Sequence, residues 1–434
     1  MKLMDIKEYF KDIIGYESVK SELYKIAHSL RESELYKRQG IKTPSGLLLS
    51  GEPGVGKTSM ANALIAASGR KAYVCRKDKA NGTFTKYIKS TFTRAMNNQP
   101  CIVLLDDMDK FANDDYDHRD SEEYVVVQAC IDACKDKDVF VLATVNDPDK
   151  LPYSLRRAGR FDSDIYVDNP SADDAEAIVR HYLANKNVSE LDYKTVARLL
   201  NGASCAQLET VVNEAGIFAV YKNKDKVDMD DITRACLRVI YNAPESSVVT
   251  DEKKRRYIAI HEAGHAVVSD YLMPESVNFI SVRQHNGSVG GFTDVFDEEE
   301  NNRMYTVKNE MLGVCIDMGG ISAVSLVLGE DDCGGASDVR NAFKVVTHLV
   351  QGPTAFGLKY RHDSSCYGTT NLPLGNKAAD RNRKKVISIV EKQKKLAMKI
   401  LKKNRKFLDA LVNYLMEDDT MTRDVFLKIK KEVM

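Results

Sequence analysis

His261-Glu262-Ala263-Gly264-His265 carries the residue types and the spacing for chemistry on a metal ion. Residues i and i+4 of a helix share a face, so both imidazoles can reach one ion. Glu262, beside the first histidine, is placed to hold a water against that ion and take its proton. The flanks suit a helix: Tyr257, Ile258, Ile260, Val267, Val268 and Leu272 are apolar, and no proline interrupts before Pro274. Two histidines on an ordinary helix face are the plain alternative. With 8 His in 434 residues the full pattern is rare by chance, and a zinc peptidase is the reading it supports.

A second constellation lies upstream. Gly46-Leu47-Leu48-Leu49-Ser50 reads as a buried strand, followed at once by Gly51-Glu52-Pro53-Gly54-Val55-Gly56-Lys57-Thr58 and a helical stretch from Ser59 to Ala67. In that strand–loop–helix context the glycines let backbone N–H groups wrap phosphates, and the helix N-terminus adds favourable potential. Lys57 would reach the β- and γ-phosphates of ATP, and the Thr58 hydroxyl would ligate Mg²⁺. The strand Cys101–Leu105 ends in Asp106-Asp107-Met108-Asp109, which sets a carboxylate beside that Mg²⁺. A third strand, Val139–Thr144, leads into Asn146, an amide placed to orient the attacking water. Arg156, Arg157 and Arg160 crowd the segment after it, where arginine can complete a neighbour's phosphate site. Strands alternating with helices imply an α/β core, a parallel sheet covered on both faces.

Composition bounds the rest. A chain of this length exceeds one core, so two or three domains are expected, and 43% hydrophobic residues can fill them. Zero formal net charge gives no global reason to expect nucleic acid or an anionic membrane as partner. Nine cysteines without a Cys-x-x-Cys pair suggest reduced thiols in the cytoplasm. The first residues read as neither signal nor transit peptide. No uninterrupted apolar run approaches the ~20 residues that span a bilayer, and the window Ile316–Leu328 is broken by Asp317, Gly319 and Gly320. A soluble chain with no intrinsic membrane span is expected.

The order of these motifs resembles the AAA+ ATPases, and with the zinc helix it resembles the FtsH family of ATP-dependent zinc metalloproteases. The resemblance covers nearly the whole chain from Tyr9 and includes Phe10-Lys11-Asp12-Ile13-Ile14-Gly15, whose family counterpart packs on adenine. It implies an AAA+ αβα core over residues 1–170, a helical lid over 171–245, and a mainly α-helical zinc metallopeptidase domain over 246–434. It implies nucleotide contacts along Gly51 to Thr58 and Ser59, a Walker B pair Asp106 and Asp107, a sensor at Asn146, and arginine fingers at Arg157 and Arg160. It supplies a third zinc ligand, Asp338, from Gly334-Gly335-Ala336-Ser337-Asp338-Val339-Arg340; His285 and Cys333 are rivals nearby. A homo-hexamer acting on polypeptides is the family's expectation.

Three departures qualify that likeness. Asp107 stands where most members carry glutamate, which sets its carboxylate about 1.5 Å further back. The pore-loop aromatic position falls at Ala80, with Phe84 as the displaced aromatic. The chain begins just ahead of the ATPase core where members have membrane-spanning helices, so a soluble branch or a separate anchoring partner is implied. A hairpin is expected from Ile280–Arg283 and Val289–Thr293, and a long amphipathic helix region with a basic face from Ala378 to Met416. The leading reading is an ATP-dependent zinc endopeptidase degrading unfolded or misfolded proteins, with hydrolysis coupled to translocation. Its alternatives are a nucleotide-gated peptidase with weak unfolding power and a non-proteolytic remodelling ATPase with a structural zinc.

Overall fold

The computed structural model describes residues 6–77, 83–112, 122–156, 159–284, 290–295, 304–352, 355–356 and 376–434. The pore-loop position Ala80, the finger Arg157 and the rival ligand His285 lie outside these residues. Contacts divide the chain into two compact units, Met1–Ala235 and Cys236–Met434.

In the first unit, helices α1 (Glu17–Arg31) and α2 (Ser33–Arg38) precede strand β1 (Gly46–Ser50) and helix α3 (Lys57–Ser68). Then come β2 (Lys71–Arg76), α4 (Phe84–Met96), β3 (Cys101–Asp106), α5 (Glu122–Ala133), β4 (Val139–Val145) and β5 (Ser163–Tyr166). All pairings are parallel, in the order β2-β3-β4-β1-β5. The three inner strands are buried along their whole length, as their unbroken apolar runs require in a sheet covered on both faces. The edge strands β2 and β5 alternate instead. One face packs on α4 and α5 through Phe84, Ile88, Phe92, Val127 and Ile131. The strands' carboxyl ends carry Ser50, Asp106 and Val145, so the glycine loop, the acidic pair and Asn146 all leave the same edge.

Helices α6 (Ala172–Leu183), α7 (Tyr193–Leu199), α8 (Cys205–Tyr221) and α9 (Met229–Val239) follow. Their starts are written into the sequence. Ser171 accepts from Asp174 N–H, Asp192 from Lys194 N–H, and Ser204 forms a capping box with Gln207.

In the second unit α10 (Glu252–Leu272) carries the two histidines, and Asp251 caps it by accepting from Lys254 N–H. Strands β6 (Val277–Ser281) and β7 (Phe292–Val295) pair antiparallel, with Ile280 opposite Thr293. The expected hairpin is therefore present but shifted, and its turn lies outside the described residues. Helices α11 (Val307–Leu328) and α12 (Ala336–Gln351) come next, then α13 (Asn376–Lys403) and α14 (Arg405–Glu417). Strand β8 (Thr420–Thr422) adds to the other side of β6, which leaves β7 at the edge, and α15 (Arg423–Val433) ends the chain.

One expectation is refined and another corrected. The region Ala378–Met416 is two helices, broken at buried Asn404, whose side-chain amide donates to Ile400 O while its backbone leaves the helical region. The interrupted window at Ile316–Leu328 belongs to the 22-residue α11, which by length and composition could cross a membrane. Half of its apolar window is buried within the protein, and its glycines pack it against α10. A Cβ on Gly264 would lie 2.7 Å from Gly319 O, and one on Gly319 2.8 Å from Gly264 O. Only glycine at both positions lets the two backbones meet.

Candidate active site and nucleotide site

One turn of α10 separates His261 from His265, and their Nε2 atoms are 3.0 Å apart. Asp338, in the first turn of α12, reaches both: its Oδ2 is 3.0 Å from His261 Nε2 and 3.5 Å from His265 Nε2. These three ligand atoms lie within 4.8 Å of one another. Two imidazoles and one carboxylate with an open fourth position is the donor set of a catalytic zinc site. Exposed Cys333 does not join the cluster.

The back of the site is shaped for an ion. A Cβ on Gly320 would fall 2.5 Å from His261 Nε2 and 2.6 Å from His265 Nε2, so α11 must present a bare backbone there. Each imidazole is held by its other nitrogen, His265 Nδ1 at 2.8 Å from Ile316 O and His261 Nδ1 at 2.6 Å from Asp332 Oδ2. Burial opposes a charged His261, but hydrogen bonds to Asp332 and Asp338 outweigh it and push the imidazole up to about 10. Two carboxylates, Asp332 and Asp338, flank His261, and the donor set of His261, His265 and Asp338 fits zinc.

Glu262 is 6% exposed, and the Thr293 hydroxyl of β7 lies 2.9 Å from its Oε2. Burial raises its pKa above the ordinary carboxylate value, which makes it a better proton acceptor. It lines a cavity of about 630 Å³ together with His261, His265, Asp338, Ile258, Phe292 and Asp317. Burial pushes Asp317 up to about 6, while Asn341 Nδ2 donates to it at 2.8 Å. Strand β7, at the edge of its sheet among the described residues, supplies one wall of this cavity.

At the other site the loop needs its glycines. Gly54 and Gly56 have φ of 86° and 95°, and a Cβ on Gly51 would stand 2.0 Å from Val167 O. Val55 is fully buried and anchors the loop, whereas Glu52, Pro53, Gly54, Thr58 and Ser59 are exposed. Helix α3 starts two residues earlier than expected, so Lys57 is its first residue. Lys57 Nζ donates to Gly51 O and Glu52 O, both at 2.7 Å, and burial lowers its pKa. Thr58 Oγ1 donates to Asp106 Oδ1 at 3.1 Å, which Thr144 Oγ1 also reaches at 2.9 Å. A hydroxyl and a buried carboxylate so joined fit a shared Mg²⁺. Asp107 stands at φ 52°, its carboxylate 2.7 Å from Lys110 Nζ, and Asn146 is half-buried at the end of β4. Arg160 is drawn onto its own chain: its Nε and Nη2 donate to Asp132 at 3.1 and 2.7 Å, and Nη1 donates to Ser154 O. From the first turn of α8, Ala206 N–H donates to Gly54 O at 3.1 Å. Tyr16, just after the segment Phe10–Gly15, donates its hydroxyl to Asp168 O at 3.0 Å.

Sequence reasoning missed Thr293, Asp332, Tyr257 and the glycine at 320. None carries a local signal, since each matters only through a fold partner distant in sequence.

Comparison with known proteins matches both halves. Residues 47–169 match the ATPase family associated with various cellular activities, and residues 248–429 match peptidase family M41. The chain is 30% identical to the ATP-dependent zinc metalloprotease FtsH of Caldicellulosiruptor bescii, over 98% of this chain and 73% of the relative. It is 30% identical to the same-named protein of Thermotoga maritima, with the same two coverages, and 29% identical to that of Halothermothrix orenii, over 95% and 69%. A purely structural zinc is not favoured by these matches. The chain belongs to the FtsH family of ATP-dependent zinc metalloproteases.

Proposed function

We propose that the chain is an ATP-driven endopeptidase that degrades unfolded or misfolded polypeptides, with zinc held by His261, His265 and Asp338. The observation that carries the reading is Glu262, buried beside the three-ligand cluster and facing the same cavity. A structural zinc would have no use for it. Bound zinc supplies a Lewis acid for the scissile carbonyl and lowers the pKa of water. Glu262 accepts the proton of the attacking water and can return it to the leaving amine. Thr293 fixes the carboxylate's direction, and the edge of β7 aligns an extended substrate by backbone hydrogen bonds.

In the same reading residues 1–170 form the nucleotide core, 171–245 the lid and 246–434 the peptidase. Lys57 and the loop from Gly51 to Ser59 hold ATP, Thr58 and Asp106 hold Mg²⁺, and Asp107 and Asn146 position the attacking water. Arg157 and Arg160 act on a neighbouring subunit's ATP, for which Arg160 must exchange Asp132 for phosphate. A homo-hexamer supplies that neighbour, and hydrolysis feeds polypeptide toward the zinc. Irregularly spaced cysteines with no Cys-x-x-Cys pair support a cytoplasmic setting. Casein degradation by wild type and Lys57→Ala, with and without ATP, tests the coupling. Loss in Lys57→Ala supports it; equal rates remove ATP from the reaction.

A further inference from the structure

We propose that Asp332, braced by Tyr257, is a positioning residue of the peptidase site: it fixes the His261 tautomer that a metal ion requires and holds the turn that delivers Asp338. The inference rests on the reading of His261, His265 and Asp338 as zinc ligands. His261 turns Nε2 toward Asp338 and His265. A neutral imidazole offers that nitrogen's lone pair only when its proton sits on Nδ1. Asp332 Oδ2 stands 2.6 Å from Nδ1. An ionised carboxylate only accepts, so this contact settles the proton on Nδ1.

The other carboxylate oxygen works on a second element. Oδ1 accepts from the Tyr257 hydroxyl, from Gly334 N–H at 2.6 Å and from Gly335 N–H at 3.1 Å. Those two glycines lead directly into α12, whose first turn carries Asp338. The turn is packed tightly on the same groups. A Cβ on Gly334 would lie 2.8 Å from Tyr257 Oη, and one on Gly335 3.0 Å from His261 Cε1. Tyr257 sits one helical turn before His261 on α10, so it shares that face. One fully buried carboxylate therefore ties the first ligand to the third. Among the described residues, the equivalent place on His265 is taken by a backbone carbonyl, Ile316 O. Asp332 is not itself a ligand: it lies on the Nδ1 edge of the ring, outside the cluster His261, His265 and Asp338. Four donors converge on it, and an asparagine cannot satisfy them. Its amide would either confront backbone N–H groups or donate to Nδ1, and the latter moves the proton to Nε2 and blocks coordination.

The test is zinc affinity of the full chain, measured by competition with a chromophoric chelator, alongside Co²⁺ absorption spectra, ATPase rate and thermal melting. Asp332→Asn should bind zinc about 10–100-fold more weakly with an altered Co²⁺ spectrum, while its ATPase stays within about twofold of wild type. Tyr257→Phe, which loses only a brace, should weaken zinc several-fold. Wild-type zinc affinity in Asp332→Asn overturns the proposal. Should that variant fail to melt cooperatively, Tyr257→Phe decides, and unchanged affinity there overturns it. His265→Ala separates the two readings: if it binds zinc as tightly as wild type, the ligand set itself is wrong, whatever Asp332 does.

Discussion

Replacing Glu262 by glutamine removes one capacity and leaves the rest of the site in place. The two side chains have nearly the same shape, so at a position 6% exposed no cavity opens and no core contact is lost. The Thr293 hydroxyl, 2.9 Å from Oε2, can donate to an amide oxygen as it does to the carboxylate. His261 and His265, the proposed ligands, keep their partners Asp332 and Ile316 O. What disappears is the ability to accept a proton, a group contribution of about 10²–10⁴ in rate, or roughly 3–5 kcal/mol of barrier. The assay is cleavage of an unstructured fluorogenic peptide under saturating ATP, with zinc content and ATPase rate measured on the same sample. Glu262→Gln should lose at least about a hundredfold in kcat while zinc stoichiometry and ATPase stay within about twofold. Cleavage within tenfold of wild type at full zinc content would refute the assignment of Glu262 as the base.

Gly320→Ala should lose zinc, since its Cβ would meet both imidazoles at 2.5–2.6 Å; metal analysis of the folded variant checks this. Asp107→Glu extends the carboxylate toward the nucleotide and should raise the ATPase rate, up to about a hundredfold if reach is limiting; a lower rate would show that the αL backbone and the Lys110 contact require the shorter side chain. Arg160→Ala and Asp132→Ala separate two roles of one ion pair: a finger acting in trans predicts ATPase loss in the first alone, whereas a purely structural pair predicts equal effects. Asp132 is held at about 2 by Arg160, so the pair's stabilisation is present above the unfolded value near 3.8 and disappears as pH falls through about 2. Both groups are partly exposed, so that contribution is at most about 1 kcal/mol, and Asp132→Asn should shift the pH 7 melting temperature by only a few degrees.

Much of the nucleotide half was legible because its signals are local. Unbroken apolar runs in β1, β3 and β4 mark buried parallel strands, and a glycine loop between strand and helix leaves few other structures open. His261 and His265 were equally plain, since helical spacing alone brings them together. Asp338 was not. From its own neighbourhood it reads as a residue near a helix start, and only family likeness set it apart; the fold then put its carboxylate 3.0 Å from His261. Arg160 shows the opposite limit, because a cluster of arginines says nothing of the bond to Asp132, 28 residues earlier. The helix α11 was underestimated for a physical reason. Gly319 and Gly320 look like helix breakers in isolation, yet they are what lets α11 approach α10 and the imidazoles.

Casein turnover by the wild-type chain, followed with ATP and Mg²⁺, without nucleotide, and after zinc chelation and re-addition, tests the central claim most directly. Degradation is expected only when nucleotide and zinc are both present, with activity restored on adding zinc back. Undiminished turnover after zinc removal, or ATP hydrolysis at full zinc content with casein left intact, would contradict it.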